Sequence, residues 1–136
     1  MLALVRKNAP LYPSYTFRVY ETRKGVRLLV LGASFDPASL DADHLMRAFR
    51  VDQLYATLCR KQNCFRARLS PKPYRIKCRT HRVVYPRESP EQQAEHDAWV
   101  AEYEARCAGF ATCKYLETLG GAASRDASPI VQFHDE

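Results

Sequence analysis

From residue 14 to residue 20 the chain alternates, with Tyr15, Phe17 and Val19 on one side and Thr16, Arg18 and Tyr20 on the other. That period of two belongs to a half-buried strand. After Glu21-Thr-Arg-Lys-Gly25 a second extended run sets Val26, Leu28 and Val30 against Arg27, Leu29 and Leu31. With Gly25 as the permissive residue of a short loop, the two runs predict a β-hairpin over about 14–31.

The period then changes. Phe35-Asp-Pro-Ala-Ser reads as a turn, and Leu45, Ala48 and Phe49 recur at helical spacing, predicting a helix over about 41–49. Asp52 reads as the N-cap of a second helix with Leu54, Tyr55, Leu58 and Cys59 as its apolar stripe. Alternation returns twice, in Phe65/Ala67/Leu69 against Arg66/Arg68 and in Tyr74/Ile76/Cys78 against Arg75/Lys77/Arg79. Two strands over about 64–69 and 74–79, joined by the proline loop of Ser70-Pro-Lys-Pro, are expected from it. Ser89-Pro-Glu-Gln carries a capping serine, a proline at the first helical position and a capping-box Gln92. A helix should run from there to Gly109, with Trp99, Tyr103 and Cys107 as its seam. Phe110-Ala-Thr-Cys-Lys-Tyr-Leu predicts a last long strand.

The resulting order of hairpin, helices, two strands, long helix and strand implies an α+β fold. The expected architecture is a mixed, largely antiparallel sheet with helices packed on one face, ferredoxin-like or palm-like. One domain is expected over 1–119, with a flexible linker at 120–128 and a short terminal strand or tail at 129–136.

Composition sharpens this picture in one respect. The 136 residues include 21 Lys and Arg against 15 Asp and Glu, a net charge of +6. Along the chain that charge is segregated: net +3 over 1–52, +10 over 53–87 without one carboxylate, and −7 over 88–136. Such a stretch is either a solvated face balanced by the acidic third or an anion-binding surface. Set on the predicted 64–79 hairpin, Arg66, Arg68, Arg75, Lys77 and Arg79 would share one face, with Arg18 and Arg27 extending it. Guanidinium forks suit phosphates, and Tyr20 or Tyr85 would stack on unpaired bases.

Other chemistry is sparse. Cys59, Cys64, Cys78 and His81 are spaced not far from zinc modules, but there is no CxxC and two of the cysteines lie on apolar stripes. Asp41 and Asp43 form a DxD that a helix start explains without a cation. His81 beside arginines would permit metal-independent cleavage of RNA by acid–base chemistry. His134 and Asp135, if on a strand, would point to opposite faces. Walker, GxGxxG, HExxH and GxSxG patterns are missing, so no cofactor is expected. Trp99 and Tyr103 read as core in preference to a partner-binding stripe.

Five cysteines, an odd number, and a five-residue apolar start unlike a signal peptide point to a reducing, cytoplasmic setting. No apolar run reaches the length of a membrane span.

The run Arg18-Val-Tyr-Glu-Thr-Arg-Lys-Gly-Val-Arg-Leu-Leu-Val resembles the strand–turn–strand of archaeo-eukaryotic primase–polymerase palms. The block from Phe65 to Pro73 is similar to segments of bacterial proteins sharing that hairpin. Arg27 stands where those enzymes carry a nucleotide-contacting histidine, and paired metal-binding acids are missing. The resemblance therefore implies a reduced palm-like domain keeping nucleic-acid contact without polymerisation, with Arg27 as a phosphate contact.

The sequence thus favours a non-catalytic protein binding nucleic acid or another polyanion. An assembly subunit meeting an acidic protein partner and a metal-independent ribonuclease are the alternatives.

Overall fold

The computed structural model describes residues 1–82, 85–121 and 129–135. The fold is α+β, with five helices and a three-stranded antiparallel sheet among the described residues. The chain divides into two compact units, one made of residues 1–67 and 113–136, the other of residues 68–112.

In the first unit α1 (Leu2–Asn8) precedes strands β1 (Thr16–Thr22) and β2 (Gly25–Leu31). Helices α2 (Leu40–Ala48) and α3 (Gln53–Gln62) follow, and β3 (Cys113–Gly120) and α5 (Pro129–Asp135) complete it. The hairpin forms as the alternation predicts, Thr16 opposite Leu31 through to Thr22 opposite Gly25. The turn is Arg23-Lys24, neither with positive φ, so Gly25 begins the return strand and its freedom is not used.

The sheet order β2-β1-β3 makes β1 central, and its two faces have different tasks. Phe17 and Val19 are fully buried, in a core completed by Val5 and Ala9 near α1 and by Phe49 at the end of α2. The rings of Phe17 and Phe49 lie 5.0 Å apart, and Asn8 Nδ2 donates to the Ala48 carbonyl at 2.7 Å, tying α1 to α2. Arg18 and Tyr20, on the opposite face, bond to Asp135 of α5. Helices therefore lie on both sides of the sheet and not on one as expected, because β1 is apolar enough to need cover twice: Tyr20 is only 2% exposed.

On β3, Glu117 opposes Val19 and Tyr115 opposes Tyr20, so Leu116 is an extra residue in a β-bulge. The strand ends at Gly120, whose φ of +99° and a Cβ position 2.4 Å from the Tyr15 carbonyl admit only glycine. Thr16 Oγ1 donates to the Gly121 carbonyl and Gly121 N–H to that of Tyr15. Residues 120 and 121 thus close the sheet and are not linker; residues 122–128 of the expected linker lie outside the described residues. The expected terminal strand is the helix α5, with Val131 as its buried anchor.

Capping follows the sequence. Ser39 accepts from Ala42 N–H, Asp52 from Tyr55 N–H and Ser89 from Gln92 N–H. Asp41 and Asp43 occupy the first turn of α2, and Asp43 also binds Arg47 at 2.6 Å.

The second unit holds a short 3-10 turn (Pro73–Ile76) and α4 (Pro90–Cys107). Residues 65–69 and 77–79 are irregular and 73–76 form the 3-10 turn, so the basic hairpin of strands 64–69 and 74–79 does not exist. Two prolines remove ladder donors within three residues, and Lys77 takes a left-handed φ of +55° that breaks any extended run. Ile76 and Cys78 are buried as read, but Phe65 and Tyr74 are 46% and 64% exposed. No described helix is long and apolar enough to cross a membrane.

Candidate functional site

The residues singled out in the sequence separate between the units. Cys59, Cys64, Arg18, Arg27 and Arg66 belong to the first; Arg68, Arg75, Lys77, Cys78, Arg79 and His81 belong to the second. The five cations of the expected hairpin do not share a strand face. Arg66 turns its Nε to Cys64 Sγ at 3.4 Å, and Arg75 stacks its guanidinium 5.8 Å from the Tyr74 ring.

Cys59 is buried beside Tyr55, whose phenol is pushed up to about 12 by burial and by its contact with that thiol. Cys78 is buried in the other unit. Among the described residues no group of three or more His, Cys, Asp or Glu is disposed to hold a metal ion.

In the second unit, α4 buries no residue fully and instead grips the basic segment by its backbone. Trp99 Nε1 donates to the Arg79 carbonyl at 2.8 Å, the Tyr103 hydroxyl to that of Pro71 at 2.6 Å, and Arg106 Nη1 to that of Lys77 at 3.2 Å. His81 stacks on Trp99 with ring centres 5.4 Å apart, and Trp99 on Tyr103 at 5.2 Å. The Trp99 seam is thus a clamp on residues 71–81, half-buried and not core. His81 Nε2 is shielded from solvent without a hydrogen-bond partner, a poor position for a group that must exchange protons with a substrate. Because the clamp takes carbonyls, the cationic side chains are left outward: Arg68, Lys72, Lys77, Arg79 and Arg82 are exposed. Glu95 approaches Arg79 at 3.5 Å, both side chains more than half exposed.

In the first unit, Arg18 and Arg27 share the sheet face under α5, as the hairpin alternation predicts. Arg18 Nε donates to the Tyr20 hydroxyl at 2.9 Å, and Tyr20 donates in turn to Asp135 Oδ1 at 2.6 Å. Arg18 Nη2 binds the other carboxylate oxygen, while the guanidinium lies 4.7 Å from the Tyr115 ring centre. The Tyr20 hydrogen bond chiefly raises the Arg18 guanidinium, and burial raises the Tyr20 phenol. Burial would also raise the Asp135 carboxyl, but the hydrogen bonds from Tyr20 and His134 and the charge of Arg18 together hold it below its ordinary value.

Arg27 Nη1 lies 3.0 Å from His134 Nε2 and 3.5 Å from Cys113 Sγ. A guanidinium only donates, so His134 Nε2 supplies the lone pair and the ring proton sits on Nδ1, 3.3 Å from Asp135 Oδ1. Cys113 Sγ is 3.9 Å from His134 Nε2. A cleft of about 200 Å³ lined by Arg18, Tyr20, Cys113, Tyr115, His134 and Asp135 opens beside these groups.

Comparison with family models, curated proteins and solved structures gave no match.

Sequence reasoning missed four members of this cluster. His134 and Asp135 were expected on a strand with opposed side chains; on a helix, neighbours are about 100° apart and both reach the sheet. Tyr115 and Cys113 reach the face through the bulge at Leu116, which no local pattern reveals.

Proposed function

We propose that the protein binds a polyanion, nucleic acid in the first place, through the cationic segment of its second unit. One observation carries this reading: α4 holds residues 71–79 by three backbone carbonyls and leaves Lys72, Lys77, Arg79 and Arg82 exposed. The acidic helix therefore acts as a scaffold for the cations, and its ion pair of Glu95 with Arg79, at 3.5 Å and more than half exposed on both sides, leaves that arginine open to solvent. Charges displayed in this way release counter-ions from a phosphate backbone on contact, which is a sequence-independent source of affinity. The likeness of the first hairpin to primase–polymerase palms accords with a nucleic-acid partner, and the five free thiols with a cytoplasmic setting.

The test is binding of fluorescein-labelled single-stranded and duplex oligonucleotides across a salt series. With four phosphates neutralised, log K should fall with log salt at a slope of roughly −3 for single strands. Replacing Lys72, Lys77, Arg79 and Arg82 by glutamine should remove most of that slope while leaving far-UV circular dichroism unchanged. Lack of affinity at low salt, or affinity indifferent to salt, would reject the proposal.

A further inference from the structure

We infer that the sheet face beneath α5 is a binding site for a small oxyanion, a phosphate group, and that the Asp135 carboxylate is its intramolecular occupant. This inference concerns the first unit and does not rest on the polyanion reading. The receptor is built before any ligand arrives. Arg18 and Tyr20 project from the central strand two residues apart, and Tyr20 is 2% exposed. The Arg18 guanidinium is fixed by the Tyr20 hydroxyl on one edge and by the Tyr115 ring beside it. Donors held in this way lose little freedom on binding.

What the receptor holds now is already an oxyanion. Asp135 offers one oxygen to Arg18 and the other to Tyr20, the bridging contact that two phosphate oxygens would make. Arg27 stands on the same face, and a second guanidinium there favours a dianion over a lone carboxylate. The adjoining cleft of about 200 Å³ is below the ~300 Å³ at which pockets for drug-sized ligands begin, so it suits a tetrahedral anion and is small for a nucleoside. Asp135 lines that cleft, and two like charges there repel, so phosphate and the carboxylate exclude one another.

The occupant rides on a short element. α5 has seven residues, too few to be helical alone; Val131 and the His134 side chain, 4% exposed, dock it, while Ile130 and Phe133 are 75% and 67% exposed. Entry of phosphate would therefore undock α5, and the helix reports on the state of the site.

The experiment is a titration of the full-length protein with inorganic phosphate at constant ionic strength, followed by two-dimensional NMR. Asp135→Asn should bind phosphate about five- to tenfold more tightly than wild type, since the competing occupant is gone. Shifts should centre on Tyr20, Tyr115 and Cys113. In wild type, saturation should move the Val131 methyl signals from their docked positions towards those of an unstructured valine. Arg18→Gln should abolish binding; if that variant does not fold, Tyr20→Phe, which keeps the ring in place, should weaken binding severalfold. Equal affinity in wild type and Asp135→Asn would overturn the inference. So would binding that survives loss of both Arg18 and Asp135, or shifts that centre elsewhere.

Discussion

Tyr20 packs its ring against those of Tyr115 and His134, accepts a hydrogen bond from Arg18 and donates one to Asp135, so a single phenol joins β1, β3 and α5. The Asp135 end of that chain titrates. Its folded carboxyl lies below the unfolded value, so the stabilisation it gives is complete above the ordinary carboxylate pKa of about 4. As pH falls through the lowered folded value, that stabilisation is lost. The Val131 methyl shifts, which sense whether α5 is docked, should show an acid limb below about pH 5. Asp135→Asn should abolish that acid limb, and an unchanged limb in the variant would assign it to another group. At this scale Arg18 and Arg27 were legible, since alternation in a hairpin fixes which residues share a face. Asp135 was not, because seven residues of mixed pattern do not distinguish helix from strand.

The elements themselves were legible wherever two independent signals agreed. Alternation with a short loop gave the hairpin, acids at a helix start with a helical stripe gave α2, and a capping side chain with such a stripe gave α3 and α4. The 64–79 segment had alternation alone, and the prolines with the left-handed Lys77 overrode it. α1 escaped notice for the opposite reason: Leu2, Val5 and Ala9 make a helical stripe, but one too short to assert a period. The bulge in β3 gives a test at this level. Leu116 has no partner across the strand, so deleting it should leave Glu117 against Val19 and Tyr115 against Tyr20. A cost of about 1 kcal/mol or less in urea denaturation is expected for that deletion. Deleting Thr118 instead should cost more, because Leu116 and Glu117 would both change faces to close the bulge and Glu117 would leave Arg6. If the two deletions cost the same, the bulge does not set the register.

At the scale of the molecule, the segregation of charge along the chain has a structural counterpart in the second unit, where a basic segment and an acidic helix face one another through carbonyls and stacked rings. That arrangement buries little. α4 has no fully buried residue, and the buried residues among those described in the unit are Pro71, Ile76 and Cys78. The first unit, by contrast, closes Val5, Ala9, Phe17, Val19 and Phe49 into one core. Apolar burial dominates stability at about 25 cal/mol per Å², so the two units should differ in their resistance to denaturant. The chain offers a direct way to see this, because its one tryptophan, Trp99, lies in the second unit. In urea the Trp99 emission should change at a lower concentration than the amide protection of Phe17 and Val19, so the chain should depart from two-state behaviour. The difference should grow in Trp99→Tyr followed by ring-current shifts of His81, since a smaller ring loosens the clamp without touching the first unit. Coincident midpoints for Trp99 emission and Phe17 protection would mean that the two units unfold as one cooperative body, and that the clamp of α4 on residues 71–81 is stronger than its burial implies.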